Sequence, residues 1–207
     1  MRITRGSIAV LFFGLTFGGS FLNAQTDVAL SLYGAFSAKT TGNGVEQSPA
    51  NAAGALIEVR HISHPLIGFE GTYAYNRANQ TYIPSPYTCP VGDSPCPPTA
   101  AAISANAHEV TGDYLASVKI ANLRPFALAG VGLLFNQPAS GQADTMSSNK
   151  PVFVYGAGLD WGLIPHLGIR LQYRGNLYKA PELTNVFTSS GAFVRTAEPV
   201  VGAYLRF

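Results

Sequence analysis

From His108 to Ile120 the chain changes character at every residue. His108, Val110, Gly112, Tyr114, Ala116, Val118 and Ile120 share one face of an extended strand; Glu109, Thr111, Asp113, Leu115, Ser117 and Lys119 share the other. Residues 167–178 repeat the pattern, with Leu167, Ile169, Leu171, Tyr173 and Leu177 alternating with Gly168, Arg170, Gln172, Arg174 and Asn176. A period of two is that of a β-strand. In both segments the charges lie on one side and Leu, Ile, Val and Tyr dominate the other. A secreted sandwich or lipocalin-like barrel also alternates, but it would have to expose the apolar face and bury the ions. A barrel in lipid does the reverse without cost: the apolar face meets hydrocarbon and the polar face fills the lumen. The sheet must then close, because an unsatisfied backbone group in hydrocarbon costs about 2–7 kcal/mol.

The same period, more weakly, marks strands near 27–38, 53–62, 66–76, 125–136, 152–163 and 194–207. Together these predict an all-β fold, a closed antiparallel transmembrane barrel of about eight strands. Ser63-His64-Pro65, Asn122-Leu123-Arg124 and Pro165-His166 are short links; 39–52, 77–107, 137–151 and 179–193 are long and polar. Short turns on one side and long loops on the other are the pattern of an outer-membrane barrel, with the short turns in the periplasm. Composition agrees. Only 12% of residues are charged against 47% hydrophobic, and there are 22 glycines, 10 tyrosines and 12 phenylalanines. A soluble domain carries about 25% charge.

The N-terminus reads as an export signal. Arg2 and Arg5 precede an apolar stretch from Ile8 to Phe21, and Leu22-Asn23-Ala24 offers a small residue for cleavage. The stretch is short for a spanning helix, which needs roughly 20 apolar residues. Residues 1–24 are therefore expected to be removed, leaving 25–207 as one barrel domain in a Gram-negative type of outer membrane. Net charge is +2, so loss of two arginines leaves a neutral chain, and nothing points to nucleic acid. Cys89 and Cys96 stand in a Pro-rich segment. In an exported protein that spacing predicts one local disulfide; a lone C-x6-C supplies too few ligands for a metal. No cofactor is expected.

Leu123-Arg-Pro-Phe-Ala-Leu-Ala-Gly-Val-Gly132 resembles the fifth strand of the small OmpA-like and OmpX-type outer-membrane barrels. Tyr155-Gly-Ala-Gly-Leu-Asp-Trp161 and Leu167-Gly-Ile-Arg-Leu-Gln-Tyr-Arg174 resemble their sixth and seventh strands. The ending Tyr204-Leu-Arg-Phe207 resembles the signal that the barrel-assembly machinery reads, with Tyr204, Leu205 and Phe207 carrying it. No peptidoglycan-binding domain follows Phe207, so cell-wall tethering is not implied. The resemblance implies a monomer surrounded by outer-membrane lipid and lipopolysaccharide. It also implies a central arginine shared among inward carboxylates and a lysine, with Arg174, Glu58, Asp160 and Lys119 on the corresponding strands.

Strand parity turns Glu58, Arg60, Glu70, Glu109, Asp113, Lys119, Asp160, Arg170, Arg174, Glu198 and Arg206 inward. Eight of them, Glu58, Arg60, Glu70, Asp113, Lys119, Asp160, Arg170 and Arg174, are expected to form a lumen charge network. The turn at Pro165 sets Asp160 opposite Arg170 and Gly156 opposite Arg174. Glu58 and Glu70 are expected nearly opposite each other, which calls for a cation between them. Arg174 is expected to serve the set Glu58, Glu70 and Asp113. A lumen of this size is mostly filled by side chains, so a plug is favoured over a narrow gated pore for small ions. An adhesin is the other alternative: the 77–107 loop carries Tyr82, Tyr87 and six prolines from Pro84 to Pro98. A lipid A-modifying enzyme is the least favoured, and no catalytic residue is assigned. His108, with Ser104 nearby, is better explained as an interface residue, and His61, His64 and His166 fall by the periplasmic turns. Trp161, Tyr155, Tyr173 and Tyr178 are expected to anchor the membrane interfaces.

Overall fold

A computed structural model describes residues 25–64, 66–84 and 100–207. The export signal at 1–24 and both cysteines, Cys89 and Cys96, lie outside the described residues. The described chain is all β: β1 (Gln25–Ser37), β2 (Thr40–Gly42), β3 (Val45–Pro49), β4 (Ala52–His64), β5 (Ile67–Pro84), β6 (Ala101–Ser117), β7 (Leu123–Pro138), β8 (Ser148–Ile164), β9 (Leu167–Lys179) and β10 (Phe193–Arg206).

Eight of these close into a ring. β1 pairs with β4 and β10, β5 pairs with β4 and β6, and the rest pair in chain order, always antiparallel. Closure leaves no open edge in the ring, as lipid requires. Asp27 on β1 faces Arg206 on β10 in the register, so both ends of the barrel chain lie on the side of the short turns.

The two faces invert those of a soluble protein. Leu30, Leu32, Tyr114 and Val131 are each more than 60% exposed, whereas Arg60, Arg170 and Arg174 are 0% exposed. The core of this molecule is polar and its surface belt apolar.

The other two strands form a hairpin inside the 39–52 loop, where no strand is expected. Its turn runs through Asn43 and Gly44, both at positive φ (49° and 73°). An Asn-Gly pair in that conformation makes the tight turn whose twist suits a hairpin. β3 then pairs with the outer part of β5, from Pro49 opposite Gln80 to Val45 opposite Pro84. β5 has 18 residues and β6 has 17. A tilted strand crosses a bilayer in about 9–11, so these two run well past the membrane on the extracellular side.

Several aromatics lie directly across the sheet from a glycine. Tyr33 faces Gly54, Phe126 faces Gly158, Tyr204 faces Gly168 and Tyr155 faces Gly175. At Gly158 a Cβ would collide with the Phe126 ring and with the Leu171 carbonyl at 2.6 Å. Phe126 in turn carries the Arg60 guanidinium 4.1 Å above its ring. Gly158→Leu must displace both. We expect it to lower stability by about 1–3 kcal/mol, read as a shift in the urea midpoint of the refolded barrel. An unchanged midpoint would show that Phe126 is free to move.

Candidate functional site

The lumen is built by inward side chains in tiers. The tier nearest the periplasm is set by the β1–β10 and β6–β7 ends. There Gln25 Nε2 donates to both Asp27 carboxylate oxygens at 2.7 and 2.8 Å, and Arg206 approaches Asp27 at 3.5 Å. Arg124 faces into this tier with 8% of its surface exposed, and its Nη2 donates to Gln25 Oε1 at 3.0 Å. Arg124 is expected in a turn, but β7 begins at Leu123 and parity then carries it inward.

The next tier holds five charges. Arg60 on β4 sits opposite Glu70 on β5, and its Nε donates to Glu70 Oε2 at 2.6 Å. Its Nη1 reaches Asp160 Oδ2 at 2.8 Å, on β8, four places round the ring. Arg170 faces Asp160 in the β8–β9 register and donates to both of its oxygens, at 2.7 and 3.2 Å. Arg170 Nη1 also lies 3.3 Å from Glu58 and 3.5 Å from Glu70. Glu58 accepts a further hydrogen bond from Ser31 at 2.8 Å. These side chains are fully shielded. Charges so placed are tolerable only when paired and hydrogen-bonded, and charge-assisted bonds of this length are the strong kind.

A second cluster lies toward the outside. Arg174 Nη2 donates to Glu109 at 2.9 Å, and Asn176 Nδ2 donates to Glu109 at 2.8 Å and Glu198 at 3.1 Å. Nearby, Thr111 donates to Asp113 at 3.0 Å and shares a 2.6 Å hydrogen bond with Thr72.

Three expectations need correction. Lys119 is exposed at the rim, where Val118 and Ile120 still bond the start of β7 beyond the end of β6; it does not join the network. Glu58 is opposite Thr72 and not Glu70, since the β4–β5 register places Arg60 at Glu70. Arg170, rather than Arg174, bridges Glu58 and Glu70, while Arg174 turns to Glu109. Glu109 and Glu198 therefore belong to the charge clusters, although neither is among the eight candidates. Their inward parity is legible, but their partners depend on which strands face each other across the closed ring.

The extracellular mouth is covered by residues 180–192. Tyr82 donates to the Pro181 carbonyl at 2.8 Å and accepts from the Leu183 amide at 3.2 Å. Burial raises the Tyr82 phenol above its ordinary pKa, which keeps the proton it donates. Gln47 of the hairpin also donates to Pro181, and Thr40 bonds Ser190 at 2.8 Å. Leu183 is wholly buried with Val45, Tyr82 and Ile103, and Phe187 packs against them.

On the outer face, His108 bonds the Tyr73 hydroxyl at 2.8 Å and lies 5.1 Å from the Tyr75 ring. Ser104 instead accepts from Arg77 at 3.1 Å, so His108 and Ser104 do not form a nucleophile–base pair. Tyr155, Tyr173 and Trp161 are exposed on the outside, as interface anchors would be; Tyr178 turns into the lumen and is buried. Of the ending Tyr204-Leu-Arg-Phe207, Leu205 and Phe207 face outward at 51% and 74% exposure, while Tyr204 is buried 5.5 Å from the Arg170 guanidinium.

No protein-family model and no curated protein matches the chain. Solved structures do. Neisserial surface protein A is similar over 88% of this chain and 97% of its own, with 14% identity and a TM-score of 0.58. OprG of Pseudomonas aeruginosa, an outer membrane protein, is similar over 88% and 95%, with 9% identity and a TM-score of 0.59. Ail of Yersinia pestis is similar over 90% and 100%, with 17% identity and a TM-score of 0.53. Closed ring, apolar belt, polar lumen and these likenesses agree: the chain has the fold of the small eight-stranded outer-membrane β-barrels.

Proposed function

We propose that this is a structural outer-membrane barrel whose lumen is sealed rather than open. The carrying observation is the pair of ion clusters that cross the lumen at membrane depth, with Arg60, Arg170 and Arg174 all fully buried. The cap at the extracellular mouth supports the same reading. Between the cap and Glu109, the cavity lined by Gln80, Asn136 and Tyr178 is only about 40 Å³, room for roughly one water. Membrane lipid and lipopolysaccharide surround such a barrel, the barrel-assembly machinery inserts it, and it works as a single chain.

Planar-bilayer recording of the refolded protein in potassium chloride tests this. We expect no steady current above that of bare lipid. Sustained single-channel steps would replace the plug by the gated pore. The lumen at membrane depth holds six carboxylates (Glu58, Glu70, Glu109, Asp113, Asp160, Glu198) against three guanidiniums (Arg60, Arg170, Arg174), so such steps would favour cations.

Surface attachment is a second reading, favoured by the overhang of β5 and β6 beyond the membrane with the β2–β3 hairpin paired to it. The Yersinia neighbour is an attachment invasion locus protein that has been seen with a heparin analogue. At its level of identity it supports the fold and leaves the ligand open. Binding of sucrose octasulfate to the refolded barrel, abolished by removing 40–49, would bear out attachment; no binding would leave the purely structural role.

A further inference from the structure

We propose that the periplasmic mouth of the barrel is a binding site for a phosphate group. A pocket of about 520 Å³ opens there between the β6–β7 turn, the β8–β9 turn and the paired ends of β1 and β10. Lys119, Arg124 and Arg206 all line it. Against these three cations stand Asp27, already held by Gln25 and approached by Arg206, and Asp160 of the next tier, already bonded to Arg60 and Arg170.

Arg124 is the decisive residue. It is 8% exposed, and one of its nitrogens bonds Gln25. Its Nε and Nη1 are buried and make no hydrogen bond among the described residues. Leaving donors of a charged group unpaired is expensive. Every other guanidinium at membrane depth in the lumen has at least one carboxylate at 3.5 Å or less: Arg60 has Glu70 and Asp160, Arg170 has Asp160, and Arg174 has Glu109. Among the described residues Arg124 hydrogen-bonds only a neutral amide, and it borders a pocket of like charge. An oxyanion in the pocket supplies the charge that these cations lack. A phosphate suits the site better than a carboxylate, because its oxygens point in several directions and its charge answers more than one cation.

The pocket has an apolar side as well. Leu123, Leu163 and Ile164 line it and are 41%, 47% and 60% exposed. They continue onto the lipid-facing exterior below Trp161. A phosphate carried by a phospholipid of the inner leaflet could lay its chains there, whereas a free phosphorylated solute would use only the cations.

The test uses the refolded barrel in a phosphate-free maltoside detergent, following the arginine Nε–H signals by NMR. Inorganic phosphate is titrated in one arm and dihexanoyl phosphatidylglycerol in the other, each against sodium chloride at matched ionic strength. The expected result is a saturable shift of the Arg124 signal with phosphate and none with chloride. Arg124→Gln should weaken phosphate binding about tenfold, as loss of charge-assisted bonds does. Lys119→Gln, at an exposed position, should weaken it about twofold. If Arg124→Gln does not fold, Lys119→Gln and Arg206→Gln keep the test alive. Tighter binding of the phospholipid, lost selectively in Leu163→Asn, assigns the site to a lipid headgroup; equal binding assigns it to a free phosphate group. An Arg124 signal that never saturates, responds equally to chloride, or ignores Lys119→Gln and Arg206→Gln overturns the proposal.

Discussion

Arg170→Ala should cost the folded barrel about 3–5 kcal/mol, the usual penalty for removing one partner of a buried ion cluster. Among the described residues, Arg170 is the only cation within 3.5 Å of Glu58, and it also serves Glu70 and Asp160. Without it, Arg60 still reaches Glu70 and Asp160, but Glu58 keeps only the Ser31 hydroxyl. A buried carboxylate held by one neutral donor is the costly product. Adding Glu58→Gln to Arg170→Ala should therefore recover part of the loss, because the orphaned charge goes with it. Urea unfolding in lipid vesicles measures both variants. Trp161, the one tryptophan of the chain, is 52% exposed on the outer face and so reports the passage from lipid to water. A loss below about 1 kcal/mol, or no recovery in the double variant, would show that Arg170 fills space without holding charge.

What the sequence makes legible depends on the range of the contact. Strand parity depends only on neighbours in sequence, so the alternation at 108–120 and 167–178 identified both faces of β6 and β9. Hairpin register depends on a short turn, and counting back from Pro165 correctly set Asp160 against Arg170 and Gly156 against Arg174. At the other short turn the same counting slipped. Both turns carry a one-residue irregularity, between Ile62 and His64 and between Gly162 and Ile164, but here the register sets Glu58 against Thr72 and Arg60 against Glu70, two residues from the expected pairing. A displacement of two residues keeps each side chain on its face and changes only its partner.

Contacts across the lumen lie beyond such counting. Arg174 reaches Glu109 on β6, three strands away, and Arg60 reaches Asp160, four away. Those meetings are set by strand tilt and stagger in the closed ring, which no single segment encodes. The hairpin at 40–49 is hidden for a different reason. Its Asn43-Gly44 signal was present in the sequence, but its flanking strands have three and five residues. They hold because β3 borrows the overhanging edge of β5.

Loss of Phe207 should separate assembly from stability. Its ring is 74% exposed, and its visible tie to the barrel is the backbone amide donating to Thr26 at 2.9 Å. Removing one such bond costs about 1 kcal/mol, so the refolded variant lacking Phe207 should unfold close to the urea midpoint of the parent. In cells the result should be different. β10 closes the ring against β1, joining the last strand to the first, so the seam forms only after the C-terminal strand has been presented. Leu205 and Phe207 project from that strand on the lipid side, away from the ion clusters. They are available for recognition before closure, and they contribute little to the interior afterwards. We therefore expect most of the truncated protein to accumulate as periplasmic precursor or aggregate, with Phe207→Ala intermediate. The measurement is the amount in the outer-membrane fraction beside the urea midpoint of the purified variant. Normal membrane levels would remove the assembly role. A midpoint lowered by several kcal/mol would mean that the terminal ring stabilises the finished seam instead.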